Sequence, residues 1–154
     1  MGDFSPTAKD AAFHPGEQAL QERLGVRDRM AELGSRAIRD HMPEQHRELF
    51  EKLPMLVIGA TDSQGRPWAT LLTGLPGFIR SPDPCHLEVA VVPLPSDPVI
   101  RHLKIGTDIG VLGLEPETRR RNRMNAEVIG IEADRLTLRV KQSFGNCPQY
   151  IQKR

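Results

Sequence analysis

The stretch GATDSQGRPWATLLTG, from Gly59 to Gly74, has the pattern of a β-hairpin. An apolar run rich in β-branched residues, MLVIGATD (55–62), leads into the turn-forming Ser63-Gln64-Gly65 (63–65). A second run, PWATLLTG (67–74), follows the turn. Two such runs joined by a short turn containing glycine predict a pair of antiparallel strands.

Strand-like segments continue from this hairpin to the end of the chain, and helical spacing precedes it. The further strand candidates are 77–80, 86–92, 108–114, 119–131 and 135–143. The last two form a predicted hairpin with its tip at 132–134, and between 92 and 108 we expect a loop (93–98) and one helical turn (99–103). Six or seven antiparallel strands with helices gathered at one end predict an α+β fold with a closed or nearly closed barrel.

Three helices are predicted before the strands. The first begins at Pro15 and ends at Gly25, and the second runs from Arg27 to His41, where Met42-Pro43 interrupts it. The third covers 43–53. Its predicted buried residues are Leu49, Phe50 and Leu53. The apolar face of the first helix carries Ala19, Leu20 and Leu24. The apolar face of the second helix carries Met30, Leu33, Ala37 and Ile38. We therefore expect a flexible N-terminus (1–14) and a single domain (15–154), made of a helical leader (15–53) and a barrel (54–154).

Composition excludes several classes of protein. The 154 residues are 38% hydrophobic and 27% charged, with a net charge of +1, which is ordinary for one globular domain and offers no general attraction for polyanions. There are two cysteines, no apolar run of the roughly 20 residues that cross a bilayer, and no basic-then-apolar leader. We therefore expect a soluble cytoplasmic protein. The five histidines form no metal-binding motif, so no metal site is expected.

The segment ETRRRNRMNAEV, from Glu117 to Val128, concentrates arginine on one predicted strand. Alternation along a strand places its side chains on two faces. One face carries Arg119, Arg121, Arg123 and Asn125, and the other carries Arg120, Asn122 and Met124. Such a cluster is costly unless it is solvated or holds an anion, and a guanidinium matches a phosphate because two N–H groups can meet two oxygens. A solvated edge that resists aggregation is the alternative.

The chain ends in LRVKQSFGNCPQYIQKR (138–154), the most specific of the three motifs. Gly145 in this segment permits a close backbone approach. We expect Cys147 to be buried and inert, because no base or positive group flanks it closely in sequence, and a reactive thiol is the alternative.

These three motifs resemble the pyridoxamine 5′-phosphate oxidase-like FMN-binding split barrels, and specifically a subgroup with an SFGNCPxYIQ ending. The helical leader is similar as well, so the resemblance covers nearly the whole chain, which is either a compact member or part of a longer one. The resemblance implies a six- to seven-stranded antiparallel split β-barrel of Greek-key type, an FMN cofactor, and a homodimer with the flavin at the subunit interface. It assigns the cofactor contacts to Trp68, Ala69, Thr70, Leu71, Arg121, Arg123, Asn125, Ser143, Phe144, Gly145 and Asn146.

The function implied is that of a flavin-dependent oxidoreductase acting on an unidentified small molecule. No side chain stands out as a catalytic acid or base, which fits chemistry carried by the cofactor. The basic residues that hold the flavin phosphate in true pyridoxamine phosphate oxidases are replaced here by Trp68 and Thr73, and their SRK loop is missing, so oxidation of vitamin B6 is not expected.

Two other functions stay open. A haem-binding or haem-degrading split barrel would need an axial histidine, for which His86 and His102 are the candidates. A nucleic-acid-binding module would use Arg119 to Arg123. Trp68 and Phe144 are its only candidate stacking aromatics, so we expect no nucleic-acid partner. Because the sequence has no long apolar run, we expect no membrane partner either.

Overall fold

The computed structural model describes residues 12–90, 94, 96–145, 147, 149 and 151–153, and the chain divides into two compact units, one up to Arg39 and the other from Asp40 onward. The helices are α1 (Pro15–Arg23), α2 (Arg27–Ala37), α3 (Glu44–Lys52) and α4 (Pro98–His102). The strands are β1 (Met55–Thr61), β2 (Pro67–Thr73), β3 (Ile79–Asp83), β4 (His86–Ala90), β5 (Asp108–Glu115), β6 (Arg120–Ile131) and β7 (Arg135–Gly145). Most of the predicted flexible segment 1–14, and residues 91 and 92 of a predicted strand, lie outside the described residues.

The first unit contains α1 and α2, which pack against each other. His14 caps α1, because its Nδ1 accepts from the Gly16 and Glu17 N–H groups while the Glu17 carboxylate accepts from the His14 N–H. The predicted end of α2 at His41 is wrong. The helix ends at Ala37, because the β-branched Ile38 adopts an extended backbone, with φ −100° and ψ 119°. The apolar faces predicted for these helices include exposed side chains, namely Leu20, Leu24 and Leu33.

The second unit is built on one seven-stranded antiparallel sheet with the order β2-β1-β5-β6-β7-β4-β3. No pairing joins the outer strands β2 and β3, so the sheet is not closed. The predicted α+β fold and its two hairpins, β1-β2 and β6-β7, are confirmed. The strand predicted at 77–80 begins two residues later and runs to Asp83, because Gly77 has a φ of +92° within the turn that Phe78 N–H closes onto Leu75 O.

The core lies on one face of this sheet, under α3. Leu49, Phe50 and Leu53 are buried as predicted, and α3 packs on β3. Arg47 fastens the helix there, since its Nε donates to Ser81 Oγ at 3.0 Å and its Nη2 donates to Ser81 O at 2.8 Å. Helices α3 and α4 both pack on this core face. Neither of them covers the opposite face of β2, β1, β5, β6 and β7.

Candidate functional site

A groove of about 330 Å³ lies on the sheet face opposite the core, across strands β2, β1, β5, β6 and β7. Its lining residues are Val57, Gly59, Ala69, Gly110, Val111, Leu112, Arg123, Asn125 and Phe144. These nine residues come from five strands, and the pairing of β1 with β5 joins two parts of the chain that are far apart in sequence. The groove is therefore a product of strand pairing.

The floor of the groove is one row of paired residues with little or no side chain. Ala69 on β2 lies opposite Gly59 on β1, Gly59 lies opposite Gly110 on β5, and Gly110 lies opposite Asn125 on β6. Strands are about 4.8 Å apart, so the three small residues give a flat strip about 10 Å wide. A Cβ atom added at Gly110 would meet nothing within 4 Å, so the space above that residue is open.

The next row along the strands forms the groove's apolar and cationic side. Leu71, Val57 and Leu112 lie in register across β2, β1 and β5, and Leu112 lies opposite Arg123. Arg123 in turn lies opposite Phe144 on β7. Flat apolar surface beside a guanidinium and an aromatic ring suits a planar ligand that carries an anionic group.

Two arginines on this face have unused donors among the described residues. The Arg123 guanidinium makes no hydrogen bond or ion pair there, and the buried Arg121 Nε has no hydrogen-bond partner. A buried donor without an acceptor is costly unless a ligand supplies one. Arg123 lines the groove and Arg121 lies on the same strand face beside it, so this end of the groove carries its positive charge.

The clustered arginines at 119–123 do not all lie on one face of the sheet. Arg119 is in a turn with φ +57°, and Arg120 Nη2 donates to Gln45 O at 2.7 Å. Only Arg121 and Arg123 share the groove face. The continuous arginine stripe that a nucleic-acid-binding strand would use is not formed.

The residues assigned from the resemblance fall on both faces of the sheet. Ala69, Arg123, Asn125 and Phe144 line the groove, and Leu71 and Arg121 share its face. Trp68, Thr70 and Ser143 point to the opposite face, Gly145 ends β7, and Asn146 lies outside the described residues. The structure brings together members of all three predicted segments and separates the rest.

Ser143 is fully buried in the core, where its Oγ and His46 Nδ1 on α3 are 2.8 Å apart. Thr70 Oγ1 donates a hydrogen bond to Asp97, the residue that caps α4. The alternation of a strand separates these two side chains from their groove-lining neighbours Phe144 and Ala69. Both therefore hold helices onto the sheet.

Trp68 belongs to a hydrogen-bonded turn centred on Asp62. Trp68 Nε1 donates to Asp62 Oδ2 at 3.0 Å, and Arg66 Nε donates to the same oxygen at 2.7 Å. The backbone N–H groups of Gln64 and Arg66 donate to Oδ1. Burial raises the pKa of the Asp62 carboxyl, but these hydrogen bonds outweigh it and hold the pKa well below the usual range.

The haem candidates do not line the groove. His86 Nδ1 is 2.8 Å from Asp83 Oδ2 on the neighbouring strand, and His102 ends α4. Within the described part of the chain, no cluster of three or more histidine, cysteine, aspartate or glutamate side chains could hold a metal ion. Among the same residues no helix is long and apolar enough to cross a membrane.

Cys147 is exposed, so its predicted burial is wrong, because the chain has left the sheet after Gly145.

Sequence reasoning assigned Ala69 to the site but missed the two glycines of the floor. Gly59 and Gly110 lie inside strands, where glycine often marks a close backbone approach, and that signal could have identified them. Gln142, which hydrogen-bonds Asn125, was missed as well, because nothing local shows that β7 places it beside that residue.

The fold is shared with known structures. No protein-family model and no curated protein sequence matches the chain. A candidate pyridoxamine 5′-phosphate oxidase from Lactobacillus delbrueckii superimposes with a TM-score of 0.55 at 14% identity, covering 69% of this chain and 95% of the other. An FMN-binding protein from Syntrophomonas wolfei gives 0.55 at 11% identity, with coverages of 87% and 98%.

A third structure, HupZ of Group A Streptococcus, gives a TM-score of 0.53 at 11% identity and covers 68% of this chain and 99% of the other. At such identities the likeness establishes the fold alone. The split-barrel fold implied by the resemblance is therefore confirmed.

Proposed function

We propose that this chain binds FMN in the groove and serves as a flavin-dependent oxidoreductase for a small molecule. The observation that carries the proposal is the flat row Ala69, Gly59 and Gly110 with Arg123 beside it. A planar tricyclic ring fits against a surface without side chains, and a phosphate fits beside arginines that have unused donors.

The residues of the groove suit the binding and orientation of such a cofactor. Val57, Leu112 and Phe144 offer apolar contact for the ring and keep water from it, while Arg121 and Arg123 offer donors to the phosphate. A bound flavin would supply the redox chemistry. No aspartate, glutamate, histidine, lysine or cysteine is among the described residues that line the groove, so no proton-transfer group is assigned.

A second copy of the chain is proposed to cover the groove. Leu71 lies in the same row as Val57 and is 55% exposed, so apolar surface continues beyond the groove. Burial of this strip against another subunit would exclude water from the ring. Dimerisation is checked by light scattering of the purified chain with and without FMN, with a dimer expected in the presence of FMN.

Titration of the purified chain with FMN tests the proposal. We expect the visible bands of oxidised flavin to shift and its fluorescence to be quenched, with saturation at one FMN per chain. Arg123→Ala is expected to weaken binding about 10- to 100-fold, the effect of one charge-assisted hydrogen bond. Arg101→Ala, which removes an exposed arginine from α4, is the matched control and is expected to bind as the wild type does.

Three results would contradict the proposal. FMN that neither shifts nor is quenched removes it outright. A Soret band on titration with haemin, without any response to FMN, would favour the haem alternative. Unchanged FMN affinity in both Arg123→Ala and Asn125→Ala would show that the cofactor is bound elsewhere.

A further inference from the structure

Asn125 and Gln142 form a carboxamide pair at the edge of the groove. The two residues lie directly opposite one another on β6 and β7, and Asn125 Nδ2 donates to Gln142 Oε1 at 2.7 Å. On its other side Asn125 lies opposite Gly110, the last residue of the flat floor. Asn125 is therefore the first polar side chain that a ring lying on the floor would meet.

The pair sets which atom of the Asn125 amide is available to a ligand. A carboxamide is planar and carries its donor and its acceptor on different sides. Because one N–H group of Nδ2 is committed to Gln142 Oε1, the amide is held with its Oδ1 atom on the side away from Gln142. No donor of the described residues makes a hydrogen bond to Asn125 Oδ1. The groove thus presents an acceptor at this point.

We infer that Asn125 Oδ1 selects a planar ring with an N–H group at its edge, and that Gln142 is the positioning residue that holds the amide in this orientation. This inference rests on the proposed function and deepens it. In a flavin, the ring N–H between two carbonyl groups has the required chemistry. The edge of a porphyrin has no such N–H group, so the same acceptor favours a flavin over haem.

The inference is tested by comparing FMN with 3-methyl-FMN, in which that ring N–H is replaced by N–CH3. We expect the wild-type chain to bind FMN roughly tenfold more tightly, the effect of one net hydrogen bond. In Asn125→Leu we expect FMN to bind about tenfold more weakly than it binds the wild type. In this variant 3-methyl-FMN should bind as tightly as FMN does. A preference for FMN that persists in Asn125→Leu would overturn the inference, because the methyl group would then act by its size elsewhere.

Two substitutions of Gln142 test the positioning role. A carboxylate accepts hydrogen bonds and does not donate them, so Gln142→Glu keeps the Asn125 amide as it is and should keep the preference for FMN. An ammonium group only donates, so Gln142→Lys turns Asn125 Oδ1 toward β7 and should abolish the preference. Equal preferences in the two variants would overturn the assignment of Gln142.

The outcomes also separate this inference from the proposed function. Equal binding of FMN and 3-methyl-FMN by the wild-type chain leaves the flavin site in place and removes the role of Asn125. Binding of neither compound removes the proposed function and this inference with it.

Discussion

Arg123 on β6 and Phe144 on β7 lie directly opposite one another and both line the groove. They come from two separate sequence motifs, and antiparallel pairing places a guanidinium beside an aromatic ring. The neighbouring row places Asn125 opposite Gln142. One hairpin therefore supplies the cationic, aromatic and amide groups of the site, while β1, β2 and β5 supply its flat floor.

Gly110→Val is expected to block the groove without harming the fold. A Cβ atom at this position would meet nothing within 4 Å, and a β-branched residue suits a strand, so the melting temperature should stay the same or rise. The side chain would occupy the space above the floor, and FMN affinity should fall by about tenfold or more. Thermal unfolding and FMN titration measure the two effects.

Gly113→Ala is the matched contrast on the same strand. Gly113 faces the core, and a Cβ atom there would be 2.7 Å from Leu53 Cδ1 and 2.8 Å from Phe50 Cε1. We expect a loss of about 1–3 kcal/mol in the free energy of unfolding, the usual effect of overpacking. If instead Gly110→Val destabilises the chain and Gly113→Ala does not, the two faces of β5 have been assigned the wrong way round.

The preference for FMN over riboflavin is expected to depend on Arg121 and Arg123. Riboflavin lacks the phosphate, so the Arg121→Ala/Arg123→Ala double variant should lose about 100-fold in FMN affinity while riboflavin affinity changes little. The remaining preference should also become less sensitive to salt. Equal losses for the two compounds would show that the arginines contact the ring and not the phosphate. Arg101→Ala again serves as the control.

Ser143→Ala is expected to affect stability and to leave FMN binding unchanged. The substitution removes the partner of His46 Nδ1 in the core and should cost about 1 kcal/mol of the free energy of unfolding. Ser35→Ala, at an exposed serine on α2, should change stability by less than about 0.5 kcal/mol. Loss of FMN affinity in Ser143→Ala at unchanged stability would instead place Ser143 in the binding site.

Asp62 is expected to make the stability of the chain depend on acid pH. The hydrogen bonds in the Asp62 turn hold the pKa of the folded carboxyl below that of the unfolded chain, which is about 4. The stabilisation is therefore fully present above about pH 4 and is lost as the pH falls toward the folded pKa. Denaturant unfolding of the wild type and of Asp62→Asn between pH 7 and pH 3 measures this.

In that experiment Asp62→Asn should be less stable than the wild type at pH 7, and the difference should shrink below pH 4. Trp68→Phe, which removes one donor to Asp62, should show a smaller pH-dependent loss than the wild type. A difference between wild type and Asp62→Asn that is constant across this range would show that the carboxylate charge does not contribute.

Much of the fold is readable from local sequence. The β1-β2 hairpin follows from two β-rich runs and a turn in which Gly65 adopts a φ of +76°, a backbone conformation that glycine adopts without strain. Helix α3 follows from the 3.6-residue spacing of its buried side chains. These signals act over a few residues, so their physical basis is present in the chain before any tertiary contact forms.

The site needed long-range information. Strand alternation shows that Ala69 and Leu71 share one face and that Trp68 and Thr70 share the other, but it does not show which face is covered by helices. Nor does it show that β1 pairs with β5, which is what brings Gly59 and Gly110 together. Local sequence accounts for the elements of this chain, whereas the pairing of distant strands and the packing of α3 on one face account for its groove. Register and packing depend on contacts between residues far apart in sequence, and no local pattern encodes them.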